Sequence, residues 1–307
     1  MSVSTSSLCA ETCETITAIG FAAEVDGEPA ESFSAPLGDC ISFPNASEKA
    51  AQQAASYVQL TAAVLAMRYP WMSFKGLYRF IIASDRNAVI EANAHHLGRL
   101  YPDLEDLKSR SGAFAFPMNC GIVVVMPAHV MAYAFAPDSE VERQYGLTTI
   151  WHELAHVADL SLHYLADGGK GLVFQATSTL NARQIWHEYF ADRHSHWPGF
   201  SVSFELELVE KALNDIGHSK SRSNIQALAV RLGSAHGRLT AEGSQLSLAA
   251  PGVSAKLASL GIAQPWRSCA EALDEALDQL IRTGRPPNLQ RVEAALGRLQ
   301  AVVATSL

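Results

Sequence analysis

The chain has 307 residues, of which 48% are hydrophobic and 18% are charged, and its formal net charge at neutral pH is −8. Such apolar content with so few charges excludes an intrinsically disordered protein. The acidic balance excludes the basic surface with which sequence-independent nucleic-acid binders neutralise phosphates. We therefore expect a globular protein with a sizeable core and no nucleic-acid partner.

The start of the chain lacks both the basic residues and the apolar stretch of a secretory signal. The longest apolar run, Gly121 to Pro137, contains Pro127 and His129. It is shorter than the about 20 residues that a membrane-spanning helix needs. We therefore expect a cytoplasmic protein without a membrane span. The Ser- and Thr-rich N-terminus leaves leaderless export open as an alternative.

For residues 1–110 we predict an N-terminal α/β region that packs on a catalytic core. Its first 45 residues hold a strand or two, and a helix runs over 47–68. A strand follows over Leu77–Ala83. Asp85 then caps a helix that extends to about Leu100.

Residues 111–200 predict the catalytic core itself. A β-branched run bounded by Gly and Pro predicts a strand over Gly121–Met126. Ser139 and Glu142 then form a capping box, which starts a helix that extends to about residue 164 with an interruption near Gly146. A second helix is predicted from about 180 to 196.

Residues 201–307 predict a helical C-terminal region. Apolar residues recur there at helical spacing, which is typical of helices that bury one face. Ser268 with Glu271 has the pattern of an N-terminal cap, so we expect one of these helices to begin there.

One motif carries clear chemistry, the sequence H-E-L-A-H that begins at His152 and ends at His156. On a helix these histidines lie about 40° apart around the axis and about 6 Å apart along it. Both imidazoles can therefore bind one zinc ion at about 2.0–2.1 Å. Glu153 can reach a zinc-bound water without occupying a coordination position and can accept its proton. The structural alternative is a helix whose histidines pair with neighbouring side chains.

A catalytic zinc site also needs a third protein ligand and an open position. On the next predicted helix, Glu188 and Asp192 are four residues apart and share a face. H-E-L-A-H followed by this E-x-x-x-D resembles the gluzincin branch of the zincin metallopeptidases. The resemblance implies one zinc ion on His152, His156 and Glu188. It also implies that Asp192 accepts a hydrogen bond from a ligating histidine.

The resemblance covers roughly residues 113–196 and implies an α+β fold. In this fold a small sheet lies over the active-site helix, and here a mainly helical C-terminal part follows. The resemblance also suggests that Ile122–Met126 is an edge strand that pairs with extended substrate. An ordinary core strand is the alternative at these residues.

Other side chains compete for roles at the site. His163 lies seven residues after His156, a rise of about 10.5 Å, which is too far for a shared metal on an unbroken helix. The metzincin branch would have Gly at 159 and His at 162, where this chain has Asp159 and Leu162, so we exclude it. Asp159 stays open as a ligand or as a support. Six further residues have no assigned role, although one of the histidines could stabilise an oxyanion: His187, His194, His196, Tyr145, Tyr164 and Tyr189.

Together these features predict a zinc metallopeptidase that hydrolyses a peptide or protein substrate, with Glu153 as its catalytic base. Two other interpretations stay open. The first is a binding or regulatory protein that keeps the zincin fold without proteolysis, for which a closed fourth coordination position would be evidence. The second is a leaderless exported effector that cleaves one partner protein. The oligomeric state and the identity of the native divalent ion are left open by the sequence.

Overall fold

The computed structural model describes residues 21–22, 32–33, 41–42, 48–95, 97, 104–109, 112–118, 121–135, 137–167, 181–195 and 202–305. The chain divides into two compact units, Met1–Val173 and Phe174–Leu307. Helices dominate and a small mixed sheet accompanies them, as expected for an α+β protein. The predicted domain boundaries after residues 110 and 200 stay predictions.

The described residues of the first unit form two sheets. Its strands are β1 (Phe21–Ala22), β2 (Ser32–Phe33), β3 (Ile41–Ser42), β4 (Leu77–Ala83), β5 (Phe114–Met118) and β6 (Gly121–Pro127). β1 and β2 pair antiparallel, and the other strands form a four-stranded sheet in the order β3-β4-β6-β5. β4 is parallel to both β3 and β6, whereas β5 is antiparallel to β6. The strand predicted over Leu77–Ala83 is therefore confirmed.

β6 lies in the interior of this sheet. It pairs with β4 on one side and with β5 on the other, and all of its residues are buried. Both rows of its backbone hydrogen-bonding groups are used within the sheet. The expectation that Ile122–Met126 is an edge strand open to substrate is therefore wrong, and the core-strand alternative is confirmed. Among the described strands, β5 is the outer one on this side of the sheet.

The helices of the first unit are α1 (Glu48–Arg68), α2 (Arg86–Ala92), α3 (Leu104–Ser109), α4 (Ala128–Phe135) and α5 (Glu140–Asp167). The predicted cap of α2 is confirmed, because Asp85 Oδ1 accepts a hydrogen bond of 3.1 Å from the Ala88 N–H. α2 ends at Ala92, earlier than predicted, and residues 98–100 lie outside the described residues.

α5 begins close to the predicted capping box. The Glu142 N–H donates to Ser139 Oγ at 3.2 Å, while the Glu142 carboxylate accepts from the Asp138 N–H at 2.7 Å. The predicted interruption near Gly146 is wrong, because α5 is continuous there. A Cβ atom at Gly146 would lie 2.6 Å from Ala134 N. The glycine therefore lets the backbone of α4 approach α5 closely.

α5 is anchored to the sheet near its C-terminal half. The Gly76 N–H donates to Ser161 Oγ at 3.1 Å, and Gly76 O accepts from the Ile122 N–H at 2.7 Å. Ser161 is fully buried. Through these two hydrogen bonds, Gly76 connects α5 to the start of β6. They also fix α5 against the segment that leads into β4.

The second unit is helical, as predicted. Its helices are α6 (Ala182–His194), α7 (Ser203–His218), α8 (Arg222–Ala241), α9 (Leu246–Ala249), α10 (Pro251–Ser259), α11 (Ala263–Thr283) and α12 (Gln290–Thr305). The helix start predicted at Ser268 is wrong, since α11 already begins at Ala263. Within the described residues, no helix combines the length and apolar character that a membrane crossing requires.

Candidate metal centre

The H-E-L-A-H motif lies in the middle of α5, a helix of 28 residues. The ring centroids of His152 and His156 are 4.4 Å apart, and the ring planes meet at 89°. His152 is half-buried and His156 is buried. One turn of an unbroken helix therefore brings both imidazoles to the same side, which is what the spacing predicted.

Glu153 is buried, with 4% of its surface exposed. Its negative charge acts on Tyr145, which lies about two turns earlier on α5. Burial raises the pKa of Tyr145, a hydrogen bond with Thr149 acts in the opposite sense, and the charge of Glu153 adds to the increase. Tyr145 is half-buried, and its ring lies 6.2 Å from that of Tyr133 on α4. Tyr145 is therefore a protonated phenol near the proposed catalytic base at neutral pH.

Asp159 and His163 form a pair further along α5. His163 Nε2 lies 3.8 Å from Asp159 Oδ1, and both side chains are buried. This contact gives the Asp159 carboxylate a partner on its own helix. His163 therefore pairs with Asp159, one turn away, which agrees with the expectation that it does not share a metal with His152 and His156.

α6 carries the second motif in the other unit. Asn181 begins this helix, since its Oδ1 accepts from the Gln184 N–H at 3.2 Å. Glu188 is half-buried and Asp192 is buried on successive turns. The helix predicted over 180–196 is thus confirmed with slightly shorter bounds, 182–194.

The three predicted ligands come together in the structure. One ligand atom each from His152, His156 and Glu188 lie within 4.8 Å of one another. Ligands at about 2.1 Å from a tetrahedral zinc ion are about 3.4 Å apart, a separation that falls within this limit of 4.8 Å. Two imidazoles and one carboxylate are also a donor set that zinc binds in catalytic sites. Within the described residues, no other three His, Cys, Asp or Glu side chains form such a group.

The structure also places several of the unassigned side chains. His194 Nδ1 lies 2.7 Å from the Phe190 carbonyl oxygen, one turn back on α6. Tyr189 is fully buried, and its hydroxyl donates to Asp274 Oδ1 at 2.7 Å. Burial and the nearby Asp274 charge raise the pKa of this phenol. His187 is buried on α6. His196 and the side chain of Tyr164 lie outside the described residues.

Asp192 takes part in a buried ionic cluster that the sequence did not predict. Its Oδ1 accepts from Arg238 Nη2 and its Oδ2 accepts from Ser234 Oγ, both on α8. Arg238 Nη2 also lies 3.2 Å from Glu205 Oε1 on α7. Burial lowers the pKa of Arg238, but the charges of Asp192 and Glu205 outweigh this effect and raise it above its usual value. Arg238 therefore stays charged although only 2% of it is exposed.

α8 reaches α6 closely enough for these contacts because two glycines face α6. A Cβ atom at Gly233 would lie 2.8 Å from Ile185 Cγ2, and one at Gly237 would meet the Tyr189 carbonyl oxygen. The signal for this arrangement is present in the sequence as G-S-A-H-G-R at 233–238. Its meaning depends on which helix lies opposite, which local spacing does not reveal.

Comparison with family models, with curated protein sequences and with solved structures found no match. The likeness to gluzincins therefore depends on the motif residues and on the grouping of the three ligand atoms.

Proposed function

We propose that this protein is a zinc-dependent metallopeptidase of gluzincin type. The observation that carries the proposal is the grouping of one ligand atom each from His152, His156 and Glu188 within 4.8 Å. His152 and Glu188 are 36 positions apart and lie on different helices, so the spacing within one helix does not account for this grouping.

His152, His156 and Glu188 would hold the zinc ion. When bound, zinc supplies a Lewis acid that polarises the substrate carbonyl and lowers the pKa of water to near 7. Asp192 orients a ligating histidine by accepting its second ring N–H, as the gluzincin resemblance implies.

Glu153 performs the proton transfers. It accepts a proton from the water that attacks the peptide carbonyl carbon, and it returns this proton to the nitrogen of the leaving amine. Its burial supports this role, because the carboxylate lies away from bulk water that would otherwise exchange its proton. The substrate is thus a peptide or protein, and the products are a carboxylate and an amine.

The finer fold expectation, a zincin-like core, belongs to the same proposal. α5 packs against β5 and β6, as the active-site helix of such a core would pack against a small sheet. β5 lies at the outer side of that sheet, so it replaces β6 as the strand at which extended substrate would add. A cytoplasmic location also remains part of the proposal.

The decisive experiment compares wild type with Glu153→Gln. The variant removes the base but leaves the three ligands, so we expect unchanged zinc content and a kcat lower by about 10²–10⁴-fold on a peptide library. Glu140→Gln is the matched control, because Glu140 lies on the same helix and is exposed. Full hydrolytic activity of Glu153→Gln would overturn the mechanism.

A metal-edge diffraction measurement on crystals would identify the ion and its ligands together. Zinc bound with a fourth ligand from the protein, and no hydrolysis by wild type, would instead support the non-proteolytic binding protein.

A further inference from the structure

Behind the proposed ligand Glu188, α6 is held to α8 by charged side chains that are almost completely buried. Asp192 and Arg238 are each 2% exposed, and Ser234 and Glu205 are 7% and 8% exposed. Taking such charges out of water costs several kcal/mol per ion unless their partners are well placed. Replacing buried ion pairs with well-packed apolar residues is often neutral or stabilising, so stability alone does not account for charged residues at this helix–helix contact.

The contacts on Asp192 are directional. Each carboxylate oxygen has its own donor, the Arg238 guanidinium for Oδ1 and the Ser234 hydroxyl for Oδ2. Two donors on two oxygens fix the plane of a carboxylate, whereas one contact leaves it free to rotate. The orientation of Asp192 is therefore set from α8.

The backbone arrangement supports the same conclusion. Ser234 and Arg238 each directly follow one of the glycines that face α6. The absence of a side chain at Gly233 and Gly237 brings the α8 backbone against Ile185 and Tyr189. At this separation, short Ser and long Arg side chains both reach the same carboxylate.

We propose that Arg238, with Ser234, is a positioning residue of the zinc site, which fixes the Asp192 carboxylate and the α6 turn that carries Glu188. This inference rests on the proposed function. It adds that zinc affinity depends on side chains of α8, about 50 residues beyond Glu188, that touch neither the metal nor the substrate. Partners that orient metal ligands in this way typically contribute about 10–100-fold to metal affinity.

The network contains its own internal control. Arg238 contacts both Asp192 and Glu205, but only Asp192 is on α6 with Glu188. A purely structural role predicts that losing either carboxylate contact changes stability alone. A positioning role predicts that only the contacts to Asp192 change the affinity for metal.

The test measures zinc affinity of the full chain by competition with a chromogenic chelator, and stability of the metal-free protein by urea unfolding. For Arg238→Met we expect the zinc Kd to rise by about 10–100-fold. For Ser234→Ala we expect a smaller increase. Arg238→Lys should restore part of the affinity, since lysine supplies the charge but not the planar fork. Glu205→Gln should lower stability with a zinc Kd within about twofold of wild type.

Arg231→Met is the matched control, because Arg231 lies on the same helix and is exposed. If Arg238→Met does not fold, Ser234→Ala and Arg238→Lys decide the question. A zinc Kd equal to wild type in the folded variants of Arg238 and Ser234 would overturn the positioning role. Failure of wild type itself to bind zinc would instead overturn the proposed function.

Discussion

The imidazoles of His152 and His156 meet edge to face, with ring centroids 4.4 Å apart on successive turns of α5. This relationship leads to the first prediction, which concerns the ligand set. His156→Gln should lose most of the zinc, because one of the three proposed protein ligands is removed. His163→Gln is the comparison, since His163 lies on the same helix and pairs with Asp159. It should keep the metal of wild type in elemental analysis, and an equal loss in both variants would contradict the ligand assignment.

Zinc should also stabilise the folded protein. A ligand that binds only the folded state adds RT ln(1 + [L]/Kd), which is about 2.7 kcal/mol at a hundredfold excess over Kd. A chelator should therefore lower the Tm of wild type in a thermal scan. The Tm of His156→Gln should not respond to the chelator, and a response equal to that of wild type would place the metal elsewhere.

The third prediction concerns Asp274, which accepts hydrogen bonds from the Tyr189 hydroxyl and faces His236 Nε2 at 3.1 Å. Burial would raise the pKa of Asp274, but the interactions with His236 and Tyr189 hold it below its usual value. The stabilisation is therefore complete above the unfolded pKa of about 3.9 and is lost as the pH falls through the lower folded value.

Asp274→Asn should accordingly unfold at lower urea than wild type at pH 7, with the difference shrinking below about pH 4. Tyr189→Phe leaves the carboxylate in place and removes one partly buried hydrogen bond, so it should cost about 1 kcal/mol. A constant difference between Asp274→Asn and wild type from pH 7 to pH 3 would show that the charge of Asp274 has no part in stability.

The fourth prediction tests the close approach of α8 to α6. Gly237→Ala places a methyl group against the Tyr189 carbonyl oxygen and 3.0 Å from Arg193 N. Because these are backbone atoms, the helices must separate, and we expect a loss of about 1–3 kcal/mol in urea unfolding.

Gly297→Ala is the matched control, since Gly297 lies within α12 and a Cβ atom there meets nothing within 4 Å. This change should stabilise the protein by about 0.5–1 kcal/mol, because alanine favours helix. Equal stability effects in the two variants would argue against tight packing at Gly237.

Patterns that depend on neighbouring residues predicted the structure well. The spacing of His152 and His156 places both on one helix face, and Asp85 caps α2 as its residue type indicates. Predictions failed where the structure of a residue depends on a segment that is distant in the sequence. Gly146 suggested a helix break, but the close approach of α4 requires a residue without a side chain. Ser268 looked like a cap, yet α11 begins at Ala263 because its buried apolar face starts earlier.

At the candidate site, too, local patterns predicted some residues and long-range contacts were missed. The three proposed zinc ligands were predicted from the spacing of His152 and His156 and from the gluzincin resemblance, and their assignment stays a prediction. The partners of Asp192 were missed, because nothing in the local sequence of Arg238 indicates that it is buried against α6. A strand's position in a sheet is equally non-local, which is why β6 could not be distinguished from an edge strand.

The spacing within α8 limits how its sequence can vary. One residue inserted between Ser234 and Gly237 would turn the following residues by about 100°. It would separate the contacts of Gly233 and Ser234 from those of Gly237 and Arg238. Diverged proteins with this architecture should therefore keep two glycines four positions apart, with a serine or similar donor after the first and an arginine after the second. That six-residue signature, placed downstream of H-E-x-x-H and E-x-x-x-D, offers a way to find relatives whose remaining sequence no longer aligns.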